Sequence, residues 1–357
     1  MSDTSSVDIP GFALSLRALC LPGARVLLTG PMDPDGDSIG ACLALQRGLR
    51  AVTDADVQVA GEPGKRYAWV PGADAMVGDA ALEAMGSAEG SLPVDAEGSL
   101  SVDAEGSTPW DLVVVLDGDR HRLVAGADTA FQTASARGIV DHHRSTTEEG
   151  YDVALVDPTA ASTCELVYGV LQAWGVPLDA DLAALLYTGV VFDTGGFRHS
   201  NASPETHRFA AVLLEQGIDH AAIALRVLAE RGHAGFRLLG DVIGRTRFFA
   251  NSQVAIASVP QRVMQRLDAV NEDIEGIVDT LLVTRGVETA CLLVEKPDGR
   301  VKLSLRSRSR VDVAALAAGL APGGGCHARA AGVMLAGPLD AAWQQVPPAL
   351  VAATTSE

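Results

Sequence analysis

At 357 residues, 48% of them hydrophobic, the chain is long enough for two domains of ordinary size, each with its own core. A formal net charge of −18 argues against long duplex nucleic acid, whose binding draws on phosphate neutralisation by Lys and Arg. Five scattered cysteines with no CxxC pair favour reduced thiols over a disulfide framework or zinc knuckle, and no run reaches the ~18 apolar residues of a membrane span. The first eight residues lack a basic stretch followed by an apolar run, so no secretory signal is read there. A soluble, cytoplasmic protein that makes no membrane contact is expected.

In chain order, residues up to about 23 read as a leader with one short amphipathic helix. The apolar run 26–28 then leads to Pro34-Asp35-Gly36-Asp37-Ser38-Ile39-Gly40. Run 112–116 ends at Asp117, run 138–140 at Asp141-His142-His143, and run 185–192 at Asp193; each reads as a buried strand. Strand and helix patterns alternate through Phe197, which predicts a doubly wound parallel sheet. Ligands of such sheets lie outside the carboxyl ends of the strands, so these carboxylates and imidazoles should converge. Anions gathered so closely need a cation, and mixed oxygen and imidazole donors suit Mn²⁺, Mg²⁺ or Zn²⁺. Metal-assisted hydrolysis is the chemistry implied.

Residues 86–109 interrupt the pattern with a repeated Val-Asp-Ala-Glu-Gly-Ser unit, an acidic surface insert that buries no core. Asp119 suits a turn, while His121 and Arg122 either line the cleft or sit in surface ion pairs. Ser162-Thr163 reads as the start of a helix near the site. Ser203 as N-cap and Pro204 at the first helical position open a helical linker over 203–245, broken near Gly217. A second α/β unit follows, with strands at 254–257, 290–295 and 301–306 and a hairpin turn at Pro297-Asp298-Gly299-Arg300.

The order and spacing of these motifs resembles the DHH phosphoesterase family. Asp35-Gly36-Asp37, Val115-Leu116-Asp117, Asp141-His142-His143 and the stretch from Tyr187 through Asp193 to Phe197 match its four N-terminal motifs. Gly323-Gly324-Gly325-Cys326-His327-Ala328-Arg329 resembles the glycine-rich signature of the associated DHHA1 domain. The resemblance implies a DHH catalytic domain over 19–200, the helical linker, and a smaller C-terminal α/β DHHA1 domain over 246–345. It implies two divalent cations, Mn²⁺ first and Mg²⁺ as the alternative, bridged by Asp117. One would be held by Asp35 and Asp117, the other by Asp37, Asp117, His142 and Asp193. His143 would face the phosphate, and Asp141 would orient an imidazole.

On the substrate side, the resemblance points to Arg306, Ser304, Gly324, Gly325, His327 and Arg329. Cys326 stands where the family has a fourth glycine. The branch most similar to this chain holds small oligoribonucleases and 3′-phosphoadenosine-5′-phosphate phosphatases. The implied partners are short RNA, a linear dinucleotide or a small nucleotide, hydrolysed in the cleft between domains of a homodimeric protein. Pro31 departs from the pattern: the family has a histidine there that completes the first cation site, and proline has no side-chain donor. A weakened first ion is therefore expected. The alternative is a catalytically impaired protein of the same fold that binds or senses nucleotides.

Overall fold

Two compact units, Met1–Ala229 and Glu230–Glu357, make up the chain in a computed structural model that describes residues 7–86, 110–323 and 328–355. The acidic repeat, Gly324, Gly325, Cys326 and His327 lie outside the described residues. The N-terminal unit begins with α1 (Ile9–Leu19), β1 (Arg25–Thr29), α2 (Gly36–Val52), β2 (Asp56–Ala60), the single turn α3 (Gly64–Tyr67) and α4 (Asp79–Gly86). It continues through β3 (Leu112–Leu116), α5 (Ala125–Thr133), β4 (Ala136–Asp141), β5 (Val153–Val156), α6 (Thr163–Ala173), α7 (Ala180–Asp193), α8 (Pro204–Leu214) and α9 (His220–Leu228).

All five strands run parallel in the order β2-β1-β3-β4-β5. Both faces are covered, as the alternation along the strands shows. Leu112, Val114 and Leu116 enter one core with α1, α2, α6 and α7, whereas Val113 and Val115 enter another with Leu82, Ala127 and Phe131. Each such fully buried Val or Leu contributes about 1.5–3 kcal/mol. After β2 the chain returns to the other side of β1, so the strand order switches between β1 and β3. A crevice for ligands opens at that point.

The run 185–192 is a helix, not the strand its continuous apolar character suggests. Asp179 caps α7 by accepting from the Leu182 amide, and the element extends over 14 residues. Leu182, Leu185, Leu186, Val190 and Val191 are all buried, so no polar face marks a helical period. Length, flanking Gly or Pro and β-branched content are the sequence signals that separate such a helix from a buried strand.

Helix α7 lies directly against α2. A methyl added at Gly40 would meet the Leu185 carbonyl oxygen at 2.5 Å, and one at Gly189 would meet both Asp37 Oδ1 and Cys164 Sγ at 2.4 Å. Gly189→Ala is thus expected to destabilise the protein by about 1–3 kcal/mol in urea denaturation, through overpacking. It should also weaken Mn²⁺ binding by displacing Asp37; an unchanged denaturation midpoint would contradict the tight approach.

The C-terminal unit holds α10 (His233–Arg245), β6 (Arg247–Phe249), β7 (Val254–Val259), α11 (Gln261–Leu267), α12 (Ile277–Leu282) and β8 (Thr289–Glu295). It closes with β9 (Val301–Ser307), α13 (Val313–Leu320), β10 (Ala330–Leu335) and α14 (Leu339–Thr355). Its sheet has the order β10-β9-β8-β7-β6, with only β7 and β8 parallel. Val254, Ile256, Cys291 and Leu293 pack with α13 and α14 on one face, while Ala255, Ala257, Leu292 and Val294 pack with α10, α11 and α12 on the other. The expected strands and the 297–300 turn are present. The helical stretch 203–245 is three helices, of which α8 and α9 belong to the first unit and α10 to the second. Among the described residues, Cys20, Cys42, Cys164 and Cys291 are free and buried, and no helix is long and apolar enough to cross a membrane.

Candidate metal centre

The loop after β1 brings Asp35 and Asp37 to the switch point. Asp35 caps α2: its Oδ1 accepts from the amides of Asp37 and Ser38, at 3.0 and 3.2 Å. Asp37, one residue into the helix, is fully buried. Its two oxygens accept from the amides of Thr163 (2.6 Å) and Cys164 (3.0 Å), the first residues of α6. A helix N-terminus thus faces a buried anion, with partial positive charge directed at it. The Ser162-Thr163 helix start was legible, but its part in holding Asp37 was not, because Asp37 precedes it by more than a hundred positions.

Asp117 ends β3 in the left-handed region, at φ 60°, a conformation that aspartate tolerates better than most side chains. Its amide still donates to the Val140 carbonyl, so the turn of its carboxylate into the crevice leaves the pairing with β4 intact. Thr163 Oγ1 donates to Asp117 Oδ1 at 3.3 Å.

The two histidines after β4 are held in different ways. His142 Nδ1 faces the Ala160 carbonyl at 3.3 Å, which makes it the protonated nitrogen and directs Nε2 into the carboxylates. Nε2 lies 2.9 Å from Asp193 Oδ2, 3.6 Å from Asp117 Oδ1 and 4.0 Å from Asp37 Oδ2. His143 Nδ1 instead sits 2.7 Å from Asp141 Oδ1. Asp141 is fully buried, accepts from the amides of His142 and His143, and takes a hydrogen bond from Thr146 on its second oxygen. An orienting role for Asp141 would act through this contact.

One donor atom from each of Asp37, Asp117, His142 and Asp193 lies within 4.8 Å of the others. Asp193 Oδ2 is buried, 2.9 Å from His142 Nε2. Three hard oxygens and one imidazole whose far nitrogen is tied to a carbonyl suit a divalent cation such as Mn²⁺, Mg²⁺ or Zn²⁺. Pro31 is buried and Met32 is 62% exposed, so neither offers a hard donor to the half-buried Asp35.

Charge crowding shows in the titration behaviour. Burial, then the neighbouring Asp117, Asp193 and Asp37, pushes Asp35 well above the ordinary carboxylate value of 3.8. Burial, then Asp193 and Asp117, does the same to Asp37. Burial would also raise Asp117, but hydrogen bonding from His142 and the charges of both histidines and Arg122 hold it at about 2. Burial opposes protonation of His142, yet Asp193, Asp117 and Asp37 raise it well above 6.5.

The sign for stability follows. Asp35 and Asp37 bind protons more tightly in the folded state, so the metal-free fold loses stability as pH climbs from about 4 through their raised values. His142 adds a loss of the same sign above 6.5. Asp117 acts oppositely only at the acid end, between about 4 and 2. The melting temperature of metal-free protein is therefore expected to fall between pH 5.5 and 8. Saturating Mn²⁺ should remove that fall and add about 2.7 kcal/mol at a hundredfold excess over its Kd. A calorimetric profile that is flat with pH would contradict the crowding.

The substrate-side residues lie on the C-terminal unit. Ser304 is central in β9, opposite Gly332 and Leu292. Arg306, at the end of β9 and paired with Ala330, places Nε 2.8 Å from Asp279 Oδ1. Arg329 carries its carbonyl to the Ser307 amide and its Nη1 to the Val311 carbonyl. Ser304, Arg306 and Arg329 therefore share one sheet region, with Arg306 and Arg329 at one end.

A parallel sheet with buried carboxylates and imidazoles gathered at its switch point defines a class: α/β proteins whose clustered donors suit a hard divalent cation. The DHH family N-terminal domain matches residues 25–190, and the DHHA1 domain matches residues 251–353. The chain belongs to the DHH family of phosphoesterases, carries a DHHA1 domain, and is a hydrolase. It is 31% identical over 316 residues to the bifunctional oligoribonuclease and PAP phosphatase NrnA of Thermus thermophilus, covering 88% of this chain and 86% of that protein. It is 28% identical over 331 residues to the cyclic-di-AMP phosphodiesterase GdpP of Geobacillus thermodenitrificans, 88% of this chain but only 45% of that one. Its fold is also similar to that of an exopolyphosphatase-related protein from Bacteroides fragilis, with a TM-score of 0.79, 23% identity and 97% of each chain covered.

Proposed function

We propose that this protein hydrolyses short oligoribonucleotides and linear dinucleotides, and also removes phosphate from 3′-phosphoadenosine-5′-phosphate, using divalent cations with Mn²⁺ favoured over Mg²⁺. The observation that carries the reading is the four-donor set of Asp37, Asp117, His142 and Asp193, with His142 Nδ1 tied to the Ala160 carbonyl. Similarity to NrnA over most of both chains supports the substrate class. A divalent ion in such a site supplies a water of lowered pKa and neutralises charge on the attacked phosphate.

Of the chain's own residues, Asp37, Asp117, His142 and Asp193 would hold one ion. Asp35 and Asp117 would hold a second, more weakly, because Pro31 contributes no donor. The α6 N-terminus holds Asp37 in place through two backbone amides. His143, oriented by Asp141, would present Nε2 to the substrate phosphate or its leaving oxygen. Arg306, Ser304 and Arg329, with Gly324, Gly325 and His327, would grip a terminal phosphate. The proposed organisation is a DHH domain over 19–200, a helical linker over 203–245 and a DHHA1 domain over 246–345. The proposed context is a cytoplasmic homodimer with no use for long duplexes or membranes.

The test is Mn²⁺-dependent release of mononucleotides from RNA of two to five nucleotides, with Asp193→Ala as control. Release by the wild type alone is expected, and Pro31→His should raise activity at limiting Mn²⁺. The buried, donorless Pro31 also favours a second reading, a nucleotide-sensing protein of the same fold. Tight nucleotide binding without turnover, even for Pro31→His, would establish it and defeat the hydrolytic proposal.

A further inference from the structure

Resting on that reading, we infer that Arg122 supplies the positive charge missing from the donor-poor first cation position and holds the substrate's phosphate there when no ion does. Three features of the N-terminal unit lead to it. The donor set around Asp37, Asp117, His142 and Asp193 would hold one ion, and the second close group, Asp117, His142 and His143, includes neither Asp35 nor Pro31. At the other position Pro31 has no donor, and Asp35 Oδ1 is already committed to two amides of α2.

Arg122 is tied to the same loop. Its carbonyl accepts from the Met32 amide at 2.7 Å, which ties it to the Pro31-Met32 loop. A methyl built on Gly118 would lie 3.8 Å from Arg122 Nη1, so the guanidinium runs along the backbone of the residue next to Asp117. Asp119 fixes the short turn that carries it, by accepting from the His121 amide at 2.9 Å.

Arg306, by contrast, is already engaged with Asp279. Among the described residues, the guanidinium of Arg122 makes no ion pair with a carboxylate. A planar guanidinium presents donors matched to phosphate oxygens. The same charge repels a cation that arrives nearby. Arg122 should therefore have opposite effects on the two ligands, favouring phosphate and disfavouring a second ion. A residue with a merely structural role would not produce that pair of effects.

The test uses the full chain and two readouts other than turnover. Mn²⁺ binding is followed by electron paramagnetic resonance of the free ion, and AMP binding by calorimetry at one equivalent of Mn²⁺. In Arg122→Ala, AMP affinity should fall about tenfold or more, the effect of losing a charged hydrogen-bond partner. The second Mn²⁺ should bind more tightly than in the wild type. Arg122→Lys keeps the charge and should leave the second Mn²⁺ at wild-type affinity. Both variants retain the carbonyl that accepts from Met32, and equal melting temperatures would confirm their folding.

In a Pro31→His background, with a donor restored, Arg122→Ala should alter AMP binding much less. That non-additivity would mark the two positions as coupled. If Arg122→Ala matches the wild type for both ligands, the inference is wrong while the metal-site reading stands. If the wild type binds no Mn²⁺ at all, both fall together.

Discussion

Asp193→Asn should abolish Mn²⁺-dependent hydrolysis while making the metal-free protein more heat-stable at pH 8. Asp193 Oδ2 is buried, stands 2.9 Å from His142 Nε2, and adds to the charge that raises Asp35 and Asp37. Asparagine keeps the shape and removes the repulsion that Asp193 exerts on Asp35 and Asp37, which outweighs the lost attraction for protonated His142. The same change removes an anionic donor from the set of four. The loss of activity should exceed the ~10–100-fold typical of a residue that only orients a ligand. Thermal melts with and without Mn²⁺, run beside the RNA-release assay, separate the two effects. A variant that loses activity and metal-free stability together would show that Asp193 is there for packing, contrary to the proposal.

His143→Ala is expected to lower turnover by about 10²–10⁴-fold, the range for loss of a general acid or base. Mn²⁺ binding should be unchanged. The distinction from His142 rests on orientation. His142 turns Nε2 toward Asp37, Asp117 and Asp193, whereas His143 has Nδ1 committed to Asp141 at 2.7 Å. His142→Ala should therefore lose metal and activity together, and His143→Ala activity alone. Asp141→Asn retains an acceptor for His143 Nδ1 and removes only the charge, so its effect should fall between the wild type and His143→Ala. Equal loss of Mn²⁺ affinity in both histidine variants would show that His143 is a ligand after all.

Much of this site was legible in the sequence because each functional carboxylate or imidazole stands at a recognisable boundary. Asp35 and Asp37 open α2, Asp117 follows β3, and Asp141-His142-His143 follows or ends β4. Strand ends on one side of a parallel sheet must lie together, so the convergence could be expected before any coordinates. Asp193 was expected for the wrong reason. It ends a helix buried all round, whose apolar run carries no period, and it reaches the crevice because Gly40 and Gly189 let α7 approach α2. The support of Asp37 by the α6 amides was not legible, since backbone donors leave no mark in side-chain chemistry and the pairing joins distant segments. The salt bridge from Arg306 to Asp279 was likewise hidden, because nothing between two strand and helix patterns fixes which charges meet.

The donors come from four separate pieces of chain, the start of α2, the turn after β3, the end of β4 and the end of α7, and a fifth piece, the start of α6, supports them. No two of these pieces alone make a site, and each reaches its place only once helices are docked on the sheet. A cation arriving during folding therefore finds little to bind until the first unit is nearly complete. Contacts made so late are absent from the transition state, and strengthening them slows unfolding rather than speeding folding. On the proposed reading, an ion held there would also act as a latch: it would lengthen the lifetime of the finished fold and leave the route to it unchanged.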